Sequence, residues 1–123
     1  MTEFLDRPAG RVAYDDTGGD GPLLVAFPGM GDVRALYRFA VSALAAAGHR
    51  VVTMDIRGHG ESSTGWDDHG PVAIGGDVLA LLRALDGGPA VLVGSVACQV
   101  AARGGSSVDD RAAFRVADRP DTR

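Results

Sequence analysis

The chain has 123 residues, 46 % hydrophobic and 23 % charged, which allows one globular domain with a small core and excludes wholesale disorder. Its formal net charge is −4, with no lysine and no basic block, which excludes the clustered cations that nucleic-acid phosphates need. One cysteine, Cys98, excludes an internal disulfide, and no apolar run approaches the roughly 18 residues of a membrane span.

Residues 2–6 and 11–16 read as two short strands joined by the turn chemistry of Arg7-Pro8-Ala9-Gly10, a hairpin. Val12 and Tyr14 alternate with polar neighbours, the pattern of a strand buried on one face. Thr17 to Pro22 is a loop. Leu23 to Phe27 is a continuous apolar run, as in a parallel-sheet strand buried on both faces, and Pro28 ends it. Asp32 is placed to cap a helix with an apolar stripe at Val33, Leu36, Ala40, Leu44 and Ala47, closed by a C-terminal glycine, Gly48.

Val51 to Met54 is the next strand, ending at Asp55, and a glycine-rich loop follows. Pro71 suits the first turn of a second helix that buries Ile74, Val78, Leu81 or Leu82, and Leu85. Gly75-Gly76 weakens its start by about 1 kcal/mol per glycine, and Gly87-Gly88-Pro89 stops it. Ala90 to Val93 is a third buried strand, and Val96 to Arg103 opens a third helix. Eight of the sixteen residues from Val108 to Arg123 are charged, which reads as a polar tail, with a short helix capped by Ser107 and Asp110 as the alternative. The expected organisation is a domain over 1–105 and a tail over 106–123. Strands separated by helices imply right-handed parallel crossovers. The expected fold is α/β: a three-layer, open, mostly parallel sheet carrying an N-terminal antiparallel hairpin.

Three segments carry chemistry. Phe27-Pro28-Gly29-Met30-Gly31-Asp32 follows a buried strand, with Gly29 and Gly31 free to turn the backbone. Asp55-Ile56-Arg57-Gly58-His59-Gly60-Glu61-Ser62 is the most specific motif in the chain. Gly94-Ser95-Val96-Ala97-Cys98 stands at the end of the third buried strand. In this order the three resemble the N-terminal half of an α/β-hydrolase over residues 2–103, an incomplete copy of that fold.

The resemblance implies that the Met30 N–H, with the Val96 N–H, binds an oxyanion. It implies a mainly structural role for Gly29, Gly31, Asp55, Arg57, Gly58, Gly60 and Ser62, with His59 a loop residue rather than a base. It also implies a serine nucleophile on a Gly-x-Ser-x-Gly elbow, and here the chain departs from the family. With Gly94 as the first small residue the tip falls on Val96, which has no nucleophilic atom. With Ser95 at the tip, Val93 stands where a small residue belongs. With Cys98 at the tip, Val96 and Val100 crowd the turn. Ser95 is the best-placed nucleophile of the three, and the alternative is that no residue here is catalytic.

The family order is nucleophile, acid, histidine. His49, His59 and His69 all precede Ser95, and no histidine follows Cys98. The expectation is therefore a truncated or disrupted hydrolase, a pseudoenzyme, that acts at most on a small-molecule substrate. No cofactor, metal, nucleic-acid or membrane partner is expected. Met1 to Asp6 lacks the basic and apolar regions of a signal peptide, so a cytoplasmic location is expected. Strand 90–94, lacking an outer neighbour, is expected to drive self-association. Two other readings stay open: a non-enzymatic binding module, and a dinucleotide site. The latter would use Gly29-Met30-Gly31 and Asp55, with Arg34 where its third glycine belongs.

Overall fold

The computed structural model describes residues 2–28, 31–85 and 90–93. Strands β1 (Thr2–Arg7) and β2 (Gly10–Asp16) form the expected hairpin, turning on Pro8 and Ala9 alone. Strands β3 (Leu23–Ala26), β4 (Arg50–Met54) and β5 (Ala90–Val93) complete a sheet of order β1-β2-β4-β3-β5. β3 pairs parallel with both β4 and β5, and β2 pairs antiparallel with β4, so the sheet is mixed. Among the described residues β5 is the outermost strand on its side.

β2 lies inside this sheet, and both Val12 and Ala13 are fully buried, while Tyr14 is half-buried. The one-face pattern expected for Val12 and Tyr14 is corrected accordingly. A strand flanked on both sides and covered on both faces buries adjacent residues.

A 3₁₀ turn over Arg34–Tyr37 leads into helix α1 (Arg38–Ala46). Asp32 does not cap it: the residue before α1 is Tyr37, and no side chain bonds the free N–H groups there. The stripe is corrected too. Val33 and Leu36 face solvent, and the residues turned to the sheet are Tyr37, Ala40, Val41 and Leu44. The 3₁₀ turn rotates the helix relative to a straight 3.6-residue count from Val33. Gly48, at φ +99°, ends the helix as expected.

Helix α2 (Pro71–Leu85) lies on the other face. Its Ile74, Val78, Leu81 and Leu82 join Val25, Phe27, Val52, Met54 and Leu92 in one buried cluster, with Leu85 packed against it. Side chains alternate across a strand, so Leu24, Ala26, Val51 and Val93 point to the α1 side, where they border a 150 Å³ apolar cavity with that helix. The layers are therefore α1, sheet, α2. The two are unequal: no residue of α1 is buried, although only Arg38 and Ser42 in it are polar. The expected stop at Gly87-Gly88-Pro89, the third helix from Val96 and the domain boundary at 105 lie outside the described residues.

Candidate functional site

The loop after β4 is laid along β2. The Asp55 N–H donates to Ala13 O at 2.9 Å and the Ser63 N–H to Arg11 O at 2.9 Å, extending the sheet pairing past the end of β4. Ser62 joins the two sides, since its Oγ accepts from Ala13 N–H at 2.9 Å and donates to Asp55 O at 2.7 Å. The Gly58 N–H donates to Ser63 O at 2.9 Å and closes the loop on itself.

Asp55 sits at 0 % exposure with its carboxylate inside the loop. Oδ2 accepts the Glu61 N–H at 3.0 Å, and Oδ1 accepts the Arg34 N–H at 2.7 Å. The Arg34 guanidinium reaches the same carboxylate through Nη1, and spreads its other donors over Asp15, Glu61 and Thr2. Burial works against the Arg34 charge. The hydrogen bonds with Asp15 and Glu61 and the charge of Asp55 outweigh it, so its pKa lies above the ordinary arginine value. Gly60 passes directly over Asp55: a Cβ there would stand 2.2 Å from Oδ2, and its φ is +52°.

Arg57 is pinned from the opposite side. Nε donates to Asp77 Oδ2 at 2.8 Å, Nη2 to Asp77 Oδ1 at 2.7 Å and Nη1 to Asp68 O at 3.0 Å. Its guanidinium lies 4.1 Å above the Trp66 ring. Arg7 adds a third charged bond to Asp77, at 2.9 Å. The hydrogen bonds with Asp77 hold the Arg57 pKa above its usual value in spite of burial.

The two loops at this end of the sheet meet through His59. Its Nε2 accepts the Gly31 N–H at 2.9 Å, and its Nδ1 lies 3.1 Å from Arg57 O. Gly31 has φ +90°, in the left-handed region open to glycine. A cavity of about 460 Å³ opens beside this junction, bordered by Val33, Arg34, Arg38, Asp55, Gly60 and Glu61.

Of the site residues expected from sequence, Gly31, Asp55, Arg57, Gly58, Gly60 and Ser62 come together in this junction. Gly29, Met30, Ser95 and Val96 lie outside the described residues. Sequence reasoning missed Asp77, Arg34 and Trp66. Asp77 left a signal: it falls between Ile74 and Val78 on the apolar side of α2, where a lone carboxylate needs a buried partner. Arg34 left none, because its partners are 19 to 32 residues distant in sequence. Among the described residues no three His, Cys, Asp or Glu gather as a metal site, and no helix is long and apolar enough to cross a membrane.

Residues 22–102 match the family described as alpha/beta hydrolase fold. The chain is 38 % identical over 78 residues to an epoxide hydrolase of Caballeronia sordidicola, covering 62 % of this chain and 24 % of that one. Among solved structures, it is similar to a bromoperoxidase from Bacillus anthracis at 28 % identity and a TM-score of 0.82. It is likewise similar to a hydrolase from Pseudomonas aeruginosa PA01 at 29 % identity and a TM-score of 0.79. Each of these two alignments covers 94 % of this chain and 44 % of the other. The chain thus spans about a quarter of the epoxide hydrolase and less than half of either solved relative.

Proposed function

The chain belongs to the α/β-hydrolase fold family, and from that premise we propose that its 123 residues are the oxyanion-side half of a hydrolase scaffold, catalytically silent by themselves. The complete chemistry would be hydrolysis of an ester or related bond in a small molecule. A serine would attack, a histidine would take its proton, and loop N–H groups would hold the oxyanion. The epoxide hydrolase among the relatives supports a small, uncharged electrophile as substrate.

The observation that carries this reading is a contrast within one chain. The loop from Asp55 to Ser62 is knitted by its side chains, Asp55, Arg57 and Ser62 each being hydrogen-bonded. The segment from Gly94 to Cys98 lacks Gly-x-Ser-x-Gly, and no histidine follows it in the sequence. His59 is no substitute base, because both ring nitrogens are engaged by Gly31 and Arg57. Loss of a triad histidine or serine costs about a millionfold in turnover in a worked protease case. The purified polypeptide incubated with p-nitrophenyl acetate and with an aryl epoxide is expected to match the buffer rate. Turnover that Ser95→Ala abolishes would refute the proposal.

The open cavity beside Arg34 favours one further reading, a binding module without turnover. The dinucleotide reading is disfavoured by Asp55. A carboxylate that must meet a ribose has to be accessible, and this one is fully buried on Arg34 and Glu61.

A further inference from the structure

His59 is held as an acceptor before anything approaches it. Its own N–H donates to Ile56 O at 3.0 Å, and its carbonyl accepts the Ser62 N–H at 3.0 Å, so its backbone is fixed on both sides. Its ring is fixed by Arg57 O at 3.1 Å, and Arg57 is in turn pinned by two bonds to Asp77. A carbonyl oxygen only accepts, so Nδ1 carries the hydrogen in that contact. The Gly31 N–H only donates, so Nε2 must be bare. Two independent contacts thus select the same neutral tautomer.

We infer that His59 is a positioning residue for the loop after β3, held as the Nδ1–H tautomer so that Nε2 fixes the Gly31 N–H. Gly31 sits at φ +90°, a conformation with no side chain of its own to anchor it. The acceptor across the gap sets where its peptide plane lies. Gly31 follows Met30 in sequence, the residue whose N–H the hydrolase reading above assigns to an oxyanion, and this consequence rests on that reading. The tautomer and the Gly31 bond do not. The series Asp77, Arg57, His59, Gly31 then ties helix α2 to the loop after β3, through the Arg57 side chain, the Arg57 carbonyl and the His59 ring.

The test is nuclear magnetic resonance on the full 123-residue chain labelled with ¹⁵N. At a pH where the ring is neutral, the His59 Nε2 signal is expected in the unprotonated range and Nδ1 in the protonated range. His59→Asn, whose side chain reaches no further than Nδ1, is expected to speed Gly31 amide exchange about tenfold. His59→Gln places an oxygen near the Nε2 position and is expected to restore the slow exchange. A purely structural role would instead move the thermal midpoint and speed exchange across the sheet together. An Nε2–H tautomer in the unmodified chain, or a Gly31 amide indifferent to His59→Asn, would overturn the inference. The tautomer measurement needs no variant to fold. None of these readouts depends on turnover, so a failed hydrolase reading leaves its own mark in the ester and epoxide assays.

Discussion

Arg57 and Asp77 form a two-point ion pair between the loop after β4 and the middle of α2, with contacts of 2.8 and 2.7 Å and an Asp77 side chain at 0 % exposure. Removing one partner strands a buried charge, which costs about 3–5 kcal/mol. That approaches the entire stability of a small domain. Asp77→Ala is therefore expected to unfold the chain or lower its urea midpoint steeply, followed by circular dichroism. Arg57→Met combined with Asp77→Leu, which removes the buried pair and leaves only the part-exposed Arg7 without its carboxylate, is expected to recover much of the loss. A urea midpoint unchanged in Asp77→Ala would mean the pair does not hold the loop.

Gly60 is expected to tolerate no side chain. Its φ of +52° already disfavours a Cβ, and the Asp55 carboxylate occupies the space that the Cβ would need. Backbone strain of this kind costs roughly 1–3 kcal/mol, and displacing Asp55 from Arg34 adds to it. Gly60→Ala should lose more stability than Gly65→Ala. Gly65 also has positive φ but meets nothing within 4 Å. Equal losses in the two variants would show that strain alone is at work.

Acid stability carries a signature of Asp16. Its hydrogen bonds from Arg50, at 3.1 and 2.6 Å, hold its pKa below the ordinary aspartate value, against the opposing effect of burial. Between the lowered folded value and the unfolded value of about 3.9, the unfolded state binds more protons than the native one. Stability therefore rises with pH across that window, is fully present above it, and is lost as pH falls through the folded value. Asp16→Asn should lower the urea midpoint at pH 6 and make little difference at pH 2. A gap that persists at pH 2 would assign the loss to something other than charge.

Self-association is expected from the α1 side. Helix α1 is apolar nearly all round, a composition that belongs to a buried helix, yet its Phe39 is 77 % exposed, and Leu36 in the 3₁₀ turn before it is 54 % exposed. We propose that this face and the β5 edge pair between copies. Light scattering behind size exclusion should show mass rising with concentration, and Phe39→Asp or Val91→Lys should suppress it. A monodisperse monomer in the unmodified chain would contradict the proposal.

Much of this was legible in the sequence because the patterns were local. The apolar runs at Leu23 and Ala90 and the stripe of Ile74, Val78 and Leu81 each name their own element. The Asp55–Ser62 motif named its loop, and the family match over residues 22–102 agrees with it. What escaped was set by distant partners. The apolar count from Val33 mistook the facing of α1, because a 3₁₀ turn precedes that helix. Arg34 reads in the sequence only as the residue where a dinucleotide motif's third glycine belongs, and its carboxylate partners come from β2, Asp55 and Glu61. His59 reads as a loop residue, and only the folded chain brings it to Gly31, 28 residues away.

The most direct test of the central claim is intact mass spectrometry after the purified chain is exposed to a serine-directed fluorophosphonate. On the proposal that these 123 residues are catalytically silent, no base activates Ser95, and the mass is expected to stay unchanged. Stoichiometric addition of one probe at Ser95, abolished by Ser95→Ala, would contradict the account.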